Sequence, residues 1–265
     1  MTDTALTRNN VQVLGRGPKT LMFVHGFGCD QNVWRHVVPA FAEDWKIVLL
    51  DLTGAGKSDL SAYNRAKYRT LDGHVTDILE ICEVLALTDV AFVGHSVGAM
   101  IGVLAANRAP RQFASLLMVG PSPCYINDGD YVGGFDREDV DGLLEFLESN
   151  FIGWSTAMAP VFMGVPDRPD LDEELTNNFC RTDPDIARHF ARATFLSDHR
   201  EDVGKLRHPS LILQCTADAV APIAVGEWLH VHIPDSRLVM MRATGHCPHL
   251  SAPTETIASM RSFLA

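Results

Sequence analysis

A serine stands at the centre of the stretch whose residue types most clearly suggest chemistry. Gly94-His95-Ser96-Val97-Gly98 matches the pattern G-x-S-x-G and continues the strand-like run DVAFVGH. In this pattern the serine occupies a strained turn of positive φ, and the two glycines let a strand and a helix pass closely. The pattern predicts a nucleophilic hydroxyl at Ser96; the alternative is an ordinary helix start capped by serine.

A serine hydroxyl becomes a good nucleophile only when a base takes its proton, and neutral histidine suits that task near pH 7. In enzymes that use this motif, the partners follow the serine in the chain order acid, then histidine. Asp218 follows the apolar run SLILQCT, and His246 follows the run RLVMMRA. Both lie after predicted strands, so we expect Ser96, Asp218 and His246 to meet at one edge of a sheet.

Other residues compete for these roles. Cys247 and His249 lie beside His246, but a zinc site needs three or four ligands and no others are near in sequence, so we predict no metal. His95 adjoins the serine, yet we expect its side chain to point away and to be structural. Asp198 and Asp202 lie in a helical region where charged residues usually face solvent.

Acyl transfer at the serine also needs two donors for the developing oxyanion. We predict the backbone N–H of Val97, the residue after the nucleophile, as one donor. The second is predicted in the run HGFG, where Phe27 N–H would face the site and its ring would form a pocket wall. An ordinary glycine-rich turn would contain the same residues. The assignment of Phe27 N–H as a donor therefore holds only if Ser96, Asp218 and His246 form the predicted catalytic site.

The run KIVLLDLTGAGKSD, residues 46–59, resembles a phosphate-binding loop but lacks one required glycine. Asp51 occupies that position, and a carboxylate there would repel phosphate. We therefore interpret the run as a turn at the sheet edge, held by hydrogen bonds from backbone amides to Asp51 and Ser58. Lys57 is expected to be solvated.

Short aliphatic runs alternate with helical patterns along most of the chain, which predicts a mostly parallel twisted sheet with helices on both faces. From about residue 121 to residue 207 the alternation stops, and only helical patterns interrupted by Gly and Pro remain. This segment, here called the helical insertion, is apolar on more than one face, so we expect it to line a cavity. The predicted strands are a short one near NVQVLG and residues 20–26, 46–51, 89–95, 113–120, 210–216 and 237–243.

Composition narrows the possible partners and location. The chain has 265 residues, 46% of them hydrophobic, and a net charge of −11, which disfavours nucleic acid and anionic membranes as partners. No apolar run approaches the roughly 20 residues that span a bilayer, and the polar start MTDTALTRNN is unlike a signal peptide. The six scattered cysteines favour reduced thiols and a cytoplasmic location.

Longer motifs extend the serine pattern over nearly the whole chain. HGFGCDQNVW, GHSVGAMIG, MVGPSPCYIND, RTDPDIARHFARATFLSDHRED and GHCPHLS resemble the RsbQ-type α/β hydrolases. These are bacterial regulators of the general stress response and relatives of the plant karrikin and strigolactone receptors. The resemblance implies an α/β-hydrolase core at 1–120 and 208–265, a four-helix cap at 121–207, and the triad Ser96, Asp218 and His246.

The resemblance also implies a small, closed, hydrophobic pocket. Met158 stands where plant relatives tend to carry an aromatic residue, and for each position the alternative is core packing. The implied lining residues are Phe27, Tyr125, Phe135, Leu143, Trp154, Met158, Phe195 and Val220.

Two functions follow as hypotheses. The first is a carboxylesterase- or lactonase-like serine hydrolase that cleaves a small hydrophobic ester or lactone through an acyl-enzyme, without a cofactor. The second, implied by the resemblance, is a slow or non-enzymatic receptor whose cap recruits a PP2C-type phosphatase or a PAS-domain regulator. Dehalogenases and epoxide hydrolases of this fold need an aspartate nucleophile, which Ser96 argues against.

Overall fold

The computed structural model describes residues 4–265. Residues 1–3, which belong to the polar start MTDTALTRNN and to the predicted core range 1–120, lie outside the described residues. The described chain forms a seven-stranded sheet in the order β1-β3-β2-β4-β5-β6-β7. Only β1 runs antiparallel to its neighbour, and the other pairs are parallel. The strands are β1 (Gln12–Gly15), β2 (Lys19–Val24), β3 (Trp45–Leu49), β4 (Val90–His95), β5 (Phe113–Val119), β6 (Ser210–Ala217) and β7 (Ser236–Thr244).

Every strand predicted from the aliphatic runs is present, with ends displaced by a residue or two, and the predicted α/β-hydrolase fold is confirmed. The helices are α1 (Thr4–Arg8), α2 (Asp72–Val84), α3 (Val97–Arg108), α4 (Arg137–Ser149), α5 (Phe151–Met163), α6 (Pro169–Arg181), α7 (Pro184–Phe195), α8 (Arg200–Val203), α9 (Ile223–His232), α10 (Pro248–Ser251) and α11 (Pro253–Leu264), with short 3₁₀ helices at Gln31–Trp34, Val38–Ala40, Leu60–Ala62 and Lys67–Arg69. None of the helices in residues 4–265 is both long and apolar enough to cross a membrane.

The core lies on both faces of the sheet because side chains alternate along each strand. In β2, Leu21 and Phe23 enter one hydrophobic cluster, whereas Met22 and Val24 enter the other. Helices α2, α3 and α9 cover the second cluster, while α11 and the helical insertion cover the first. Parallel strands covered on both faces place their carboxyl ends at one edge, which is where open α/β sheets bind ligands.

Between β5 and β6 the helical insertion contains four helices of three turns or more, α4 to α7, and the single-turn α8. Local signals fix their ends. Asp136 and Asp139 form a capping box before α4, and the Asn150 side chain accepts a hydrogen bond from Gly153 N–H at the start of α5. Gly164 ends α5 in the left-handed region, at φ 62°. Asp183 caps α7 through the N–H groups of its first turn.

The loop after β3 has the structural role predicted for it. The Asp51 carboxylate is buried and accepts hydrogen bonds from Gln31 N–H and Lys57 N–H, both at 2.8 Å. Ser58 Oγ accepts one from Gly54 N–H at 2.9 Å. The expectation that these two side chains hold the turn is therefore confirmed.

Candidate active site

Ser96 connects β4 to α3 in the conformation that the motif predicts. Its φ of 54° and ψ of −125° lie outside the regions favoured by L-residues. A Cβ on Gly98 would lie 2.5 Å from His25 O, and one on Gly94 would lie 2.6 Å from the backbone of Ala99. Only glycine fits either position, so the expected close passage of strand and helix is confirmed.

The structure brings Ser96, His246 and Asp218 together in one buried chain of hydrogen bonds. His246 Nε2 lies 2.8 Å from Ser96 Oγ. His246 Nδ1 lies 2.8 Å from Asp218 Oδ2. A carboxylate at Nδ1 keeps the proton on that nitrogen, which leaves Nε2 free to accept the serine proton. The geometry therefore suits a serine nucleophile with a histidine base.

Backbone groups hold the acid and the base in place. Asp218 Oδ1 accepts hydrogen bonds from Val220 N–H at 2.8 Å and Ala221 N–H at 3.0 Å. The His246 carbonyl accepts a bond from His95 Nε2 at 2.9 Å, so His95 has the structural role expected of it. The His246 N–H donates to Phe162 O of α5 at 2.7 Å. The backbone of His246 is thus held both from the sheet side and from the helical insertion.

Tyr125 contacts the nucleophile directly, which the sequence did not reveal. Its hydroxyl lies 3.4 Å from Ser96 Oγ, and burial raises its pKa to about 12. A phenol with such a pKa keeps its proton at neutral pH and can donate to the serine oxygen.

The two amides predicted for the oxyanion lie at the expected places in the chain. Val97 N–H begins α3 beside the nucleophile, and Phe27 follows β2 in the neighbouring loop. Within residues 4–265, neither amide donates a hydrogen bond to a protein group. A free N–H at a helix start, as at Val97, suits a developing negative charge. Their role in catalysis remains a prediction.

Ser96 opens into a narrow apolar cavity of about 20 Å³ beneath the helical insertion. Of the residues predicted to line it, Phe27, Tyr125, Phe195 and Val220 do so. The complete lining is Phe27, Cys29, His95, Ser96, Tyr125, Phe162, Leu175, Phe179, Thr194, Phe195, Val220, His246 and Cys247. A drug-sized ligand needs a cavity of several hundred Å³. Any substrate larger than the present cavity therefore requires the wall to move.

Four predicted lining residues lie outside this cavity. Trp154 is fully buried, but its ring packs behind Phe27 and Phe179 at centroid distances of 6.0 and 5.3 Å. Phe135 pairs its N–H with Tyr125 O and belongs to the loop before α4. Leu143 and Met158 are half-buried and pack against the hydrophobic cluster that contains Leu21 and Phe23.

Three of the cavity positions that sequence reasoning missed come from α5 and α6. Phe162 lies near the end of α5, while Leu175 and Phe179 lie on α6. In α6 the apolar residues Leu171, Leu175 and Phe179 recur every fourth position, and all three are buried. That helical period was readable in the sequence and identifies the buried face of α6, although not which of its residues reach the cavity.

His249 belongs to an aromatic stack with Trp34 and His95. Its ring lies 4.6 Å from that of Trp34 and 4.4 Å from that of His95. Burial lowers the pKa of His249 to about 3, so the ring is neutral. Among the described residues, no group of three or more His, Cys, Asp or Glu is arranged to hold a metal ion. Of the acids considered earlier, Asp198 pairs with Arg200, and Asp202 pairs with Lys205.

The family model of the Alpha/beta hydrolase family matches residues 21–259 of the chain. This match covers most of the sequence, and the fold and the strand-to-helix serine agree with it. The chain therefore belongs to the alpha/beta hydrolase family and is a hydrolase of that fold.

Individual relatives cover nearly the whole chain. The Karrikin insensitive 2 receptor CA of Petunia hybrida is 39% identical, over 94% of this chain and 93% of its own length. The strigolactone esterase of Arabidopsis thaliana is 36% identical, over 96% of this chain and 96% of its own length. A solved structure of a hydrolase from Oleispira antarctica superposes with a TM-score of 0.97 at 37% identity, covering 99% of this chain and 97% of that one. Both receptors and esterases are thus among its homologues.

Proposed function

We propose that this protein is a serine hydrolase of small hydrophobic esters or lactones, acting through a covalent acyl-enzyme on Ser96. The observation that carries the proposal is the unbroken hydrogen-bond chain from Ser96 Oγ through His246 to Asp218, with 2.8 Å at each step. A strained serine in contact with a base, itself oriented by a buried acid, is the arrangement that acyl transfer requires.

In the proposed first step, Ser96 Oγ attacks the carbonyl carbon while its proton passes to His246 Nε2. The carbonyl electron pair moves onto oxygen, where Phe27 N–H and Val97 N–H stabilise the negative charge. When the tetrahedral intermediate collapses, the bond to the alcohol oxygen breaks and that oxygen takes the proton from His246. Water then repeats the sequence on the acyl-enzyme and releases the acid.

The nature of the cavity supports small hydrophobic substrates. Its wall is made largely of aromatic and aliphatic side chains, and the polar groups of Tyr125 and His246 lie beside Ser96 Oγ. We propose that residues 121–207 act as a cap over the core formed by 1–120 and 208–265, because the helices of this segment supply much of that wall. Relatives named as a strigolactone esterase and a karrikin receptor are consistent with such ligands. The six free cysteines favour a cytoplasmic location.

Replacing Ser96 by Ala tests this function. We expect kcat on 4-nitrophenyl butanoate to fall by at least about 10³-fold, the scale for loss of a triad member. The matched control is Ser210→Ala, a buried serine at the opposite end of the sheet, and it should retain activity. Mass spectrometry should detect an acyl group on Ser96 of the wild type. Full activity of Ser96→Ala would refute the proposal.

The alternative is a ligand-sensing regulator of the RsbQ type, which binds or slowly hydrolyses its ligand and recruits a phosphatase. The narrow cavity and the receptors among its relatives favour this alternative. Turnover of about one per minute or slower on every ester, against the 1 to 10³ per second of typical enzymes, would support it. So would a stable complex with a PP2C-type phosphatase or a PAS-domain regulator in size-exclusion chromatography. Rapid turnover and no complex would support a plain esterase.

A further inference from the structure

The hydroxyl of Thr194 lies in the wall of the catalytic cavity without a hydrogen-bond partner. Thr194 is on α7, next to Phe195, and is 1% exposed. Its side chain lines the cavity into which Ser96 opens. No group among residues 4–265 pairs with its Oγ1. A buried polar atom without a partner is uncommon and costs about 1–3 kcal/mol.

Other hydroxyl groups of the helical insertion donate a hydrogen bond to a carbonyl of their own helix, whereas that of Thr194 does not. Ser155 Oγ donates to Phe151 O at 2.8 Å, Thr156 Oγ1 to Ile152 O at 3.0 Å, and Thr176 Oγ1 to Asp172 O at 2.8 Å. Each uses the carbonyl four residues earlier, the usual partner of a helical hydroxyl. Thr194 makes no such bond with Phe190 O, so a residue that lines the cavity keeps an unused hydroxyl donor.

The surroundings of Thr194 indicate which partner this would be. Its neighbours in the wall include the rings of Phe27, Phe179 and Phe195, which offer no strong acceptor. Esters and lactones carry acceptor oxygens and no N–H or O–H donors of their own. The hydroxyl can act as the donor. Because the proposed mechanism places the scissile carbonyl oxygen at the N–H groups of Phe27 and Val97, the acceptor for Thr194 would be another oxygen of the ligand.

We propose that Thr194 is a specificity-determining residue that donates a hydrogen bond to a second oxygen of the bound ester or lactone, such as an ether, ring or keto oxygen. This inference rests on the proposed function. It narrows the substrate class from apolar esters to esters with an additional acceptor. A site built to hydrogen-bond a substrate atom discriminates against the analogue that lacks this atom, because its own group then stays unpaired.

Isosteric ester pairs test the proposal. One pair is 4-nitrophenyl 3-methoxypropanoate and 4-nitrophenyl pentanoate, which places the oxygen in the acyl half. The other pair is 2-methoxyethyl butanoate and butyl butanoate, which places it in the alcohol half. In at least one pair, Thr194→Val should lower the ether-to-hydrocarbon ratio of kcat/KM by about fivefold to tenfold, the worth of one hydrogen bond. The change should lie mainly in KM.

Two further variants separate this role from a structural one. Thr194→Ser keeps the hydroxyl and should retain the wild-type ratio. Thr176→Val removes a hydroxyl that has a partner, so it should lower the Tm and leave both ratios unchanged. Thr194→Val should instead raise the Tm of the unliganded protein, because it removes an unpaired buried hydroxyl. If Thr194→Val is poorly folded, Thr194→Ala is used for the ratios.

Unchanged ratios for both pairs in Thr194→Val, with wild-type turnover intact, would overturn the proposal. Failure of the proposed function would look different, since the wild type would then hydrolyse neither pair or Ser96→Ala would remain active. In that case the same pairs are titrated into the Ser96→Ala protein with and without Thr194→Val. An equal affinity ratio in the two proteins would overturn the proposal, and a lost ether preference would support it.

Discussion

The carboxyl end of the sheet and the wall of the helical insertion meet at one cavity but differ in how their polar groups are satisfied. At the sheet end, Asp218 accepts three hydrogen bonds and His246 is bonded at both ring nitrogens. In the insertion wall, aromatic rings dominate and the Thr194 hydroxyl has no partner. From this difference we propose that the sheet preorganises the reaction chemistry, whereas ligand selection depends on the insertion.

The largest effect should follow from a change at the sheet end that keeps its shape. In Asp218→Asn, the side-chain oxygen can still accept from Val220 and Ala221, but the amide NH₂ would face His246 Nδ1. That nitrogen must then accept, so the proton moves to Nε2, which can no longer take the serine proton. We expect kcat on 4-nitrophenyl butanoate to fall about 10⁴-fold, as for loss of the orienting acid in other serine enzymes.

The matched control is Asp198→Asn, at an acid in the helical insertion that pairs with Arg200 near the surface. This variant should keep its activity within about twofold, since surface ion pairs contribute little. Asp218→Asn should also retain a Tm near the wild-type value. Activity of Asp218→Asn within tenfold of the wild type would mean that another group orients His246.

The residues at the sheet end were predictable because each depends on a local signal. Ser96 lies in a motif whose two glycines are required by close backbone contact. Asp218 and His246 follow strands that could be recognised from aliphatic runs, and parallel strands bring such loops to one edge. The turn containing Asp51 was also predictable from a local signal, because an aspartate where a phosphate-binding loop needs a glycine excludes such a loop.

The cavity wall was less predictable because it depends on how helices pack on one another. Phe135 and Trp154 were expected in the lining, yet Phe162 and Phe179 occupy it. All four are aromatic residues of the helical insertion, so residue type alone could not separate them. Helical spacing identifies the buried face of α6, but the orientation of α5 and α6 over Ser96 is a tertiary property.

A second, smaller effect should appear where helix α2 of the sheet layer touches the helical insertion through His74. This ring of α2 packs against Tyr68 and against Phe190 of the insertion, at 4.8 and 5.0 Å, and its nitrogens have no partner. Burial lowers its pKa to about 4, although Asp77 opposes the shift. Between pH 6.5 and 4 the unfolded chain therefore binds a proton that the folded chain does not, so stability falls as the pH falls.

Because each unit of difference in pKa corresponds to about 1.4 kcal/mol, His74 should lower the free energy of unfolding by about 3 kcal/mol across that pH range. His74→Phe should lessen the drop in the free energy of unfolding between pH 7 and pH 4.5, measured with urea. The control His36→Phe, at an exposed position, should leave the drop unchanged. An equally steep drop in His74→Phe would mean that other groups, such as His249, account for it.

The smallest effect should be on substrate size, through the insertion wall. Phe179 is buried, and its ring packs over Gly28, where a Cβ would lie 2.1 Å from Phe179 Cδ1. Phe179→Leu shortens this wall above Ser96 without touching the triad. We expect the ratio of kcat/KM for 4-nitrophenyl octanoate over butanoate to rise about tenfold, the scale of one or two methylene groups in a pocket.

Phe92→Leu makes the same change in the core on β4, where the ring packs against Gly102. Both variants should lose stability, because each replaces a buried ring by a smaller side chain. Only Phe179→Leu should change the preference for acyl length, since only that ring lines the cavity. If both variants shifted the preference equally, general loosening of the fold would explain the shift, and the division between a sheet that performs the reaction and an insertion that selects the ligand would fail.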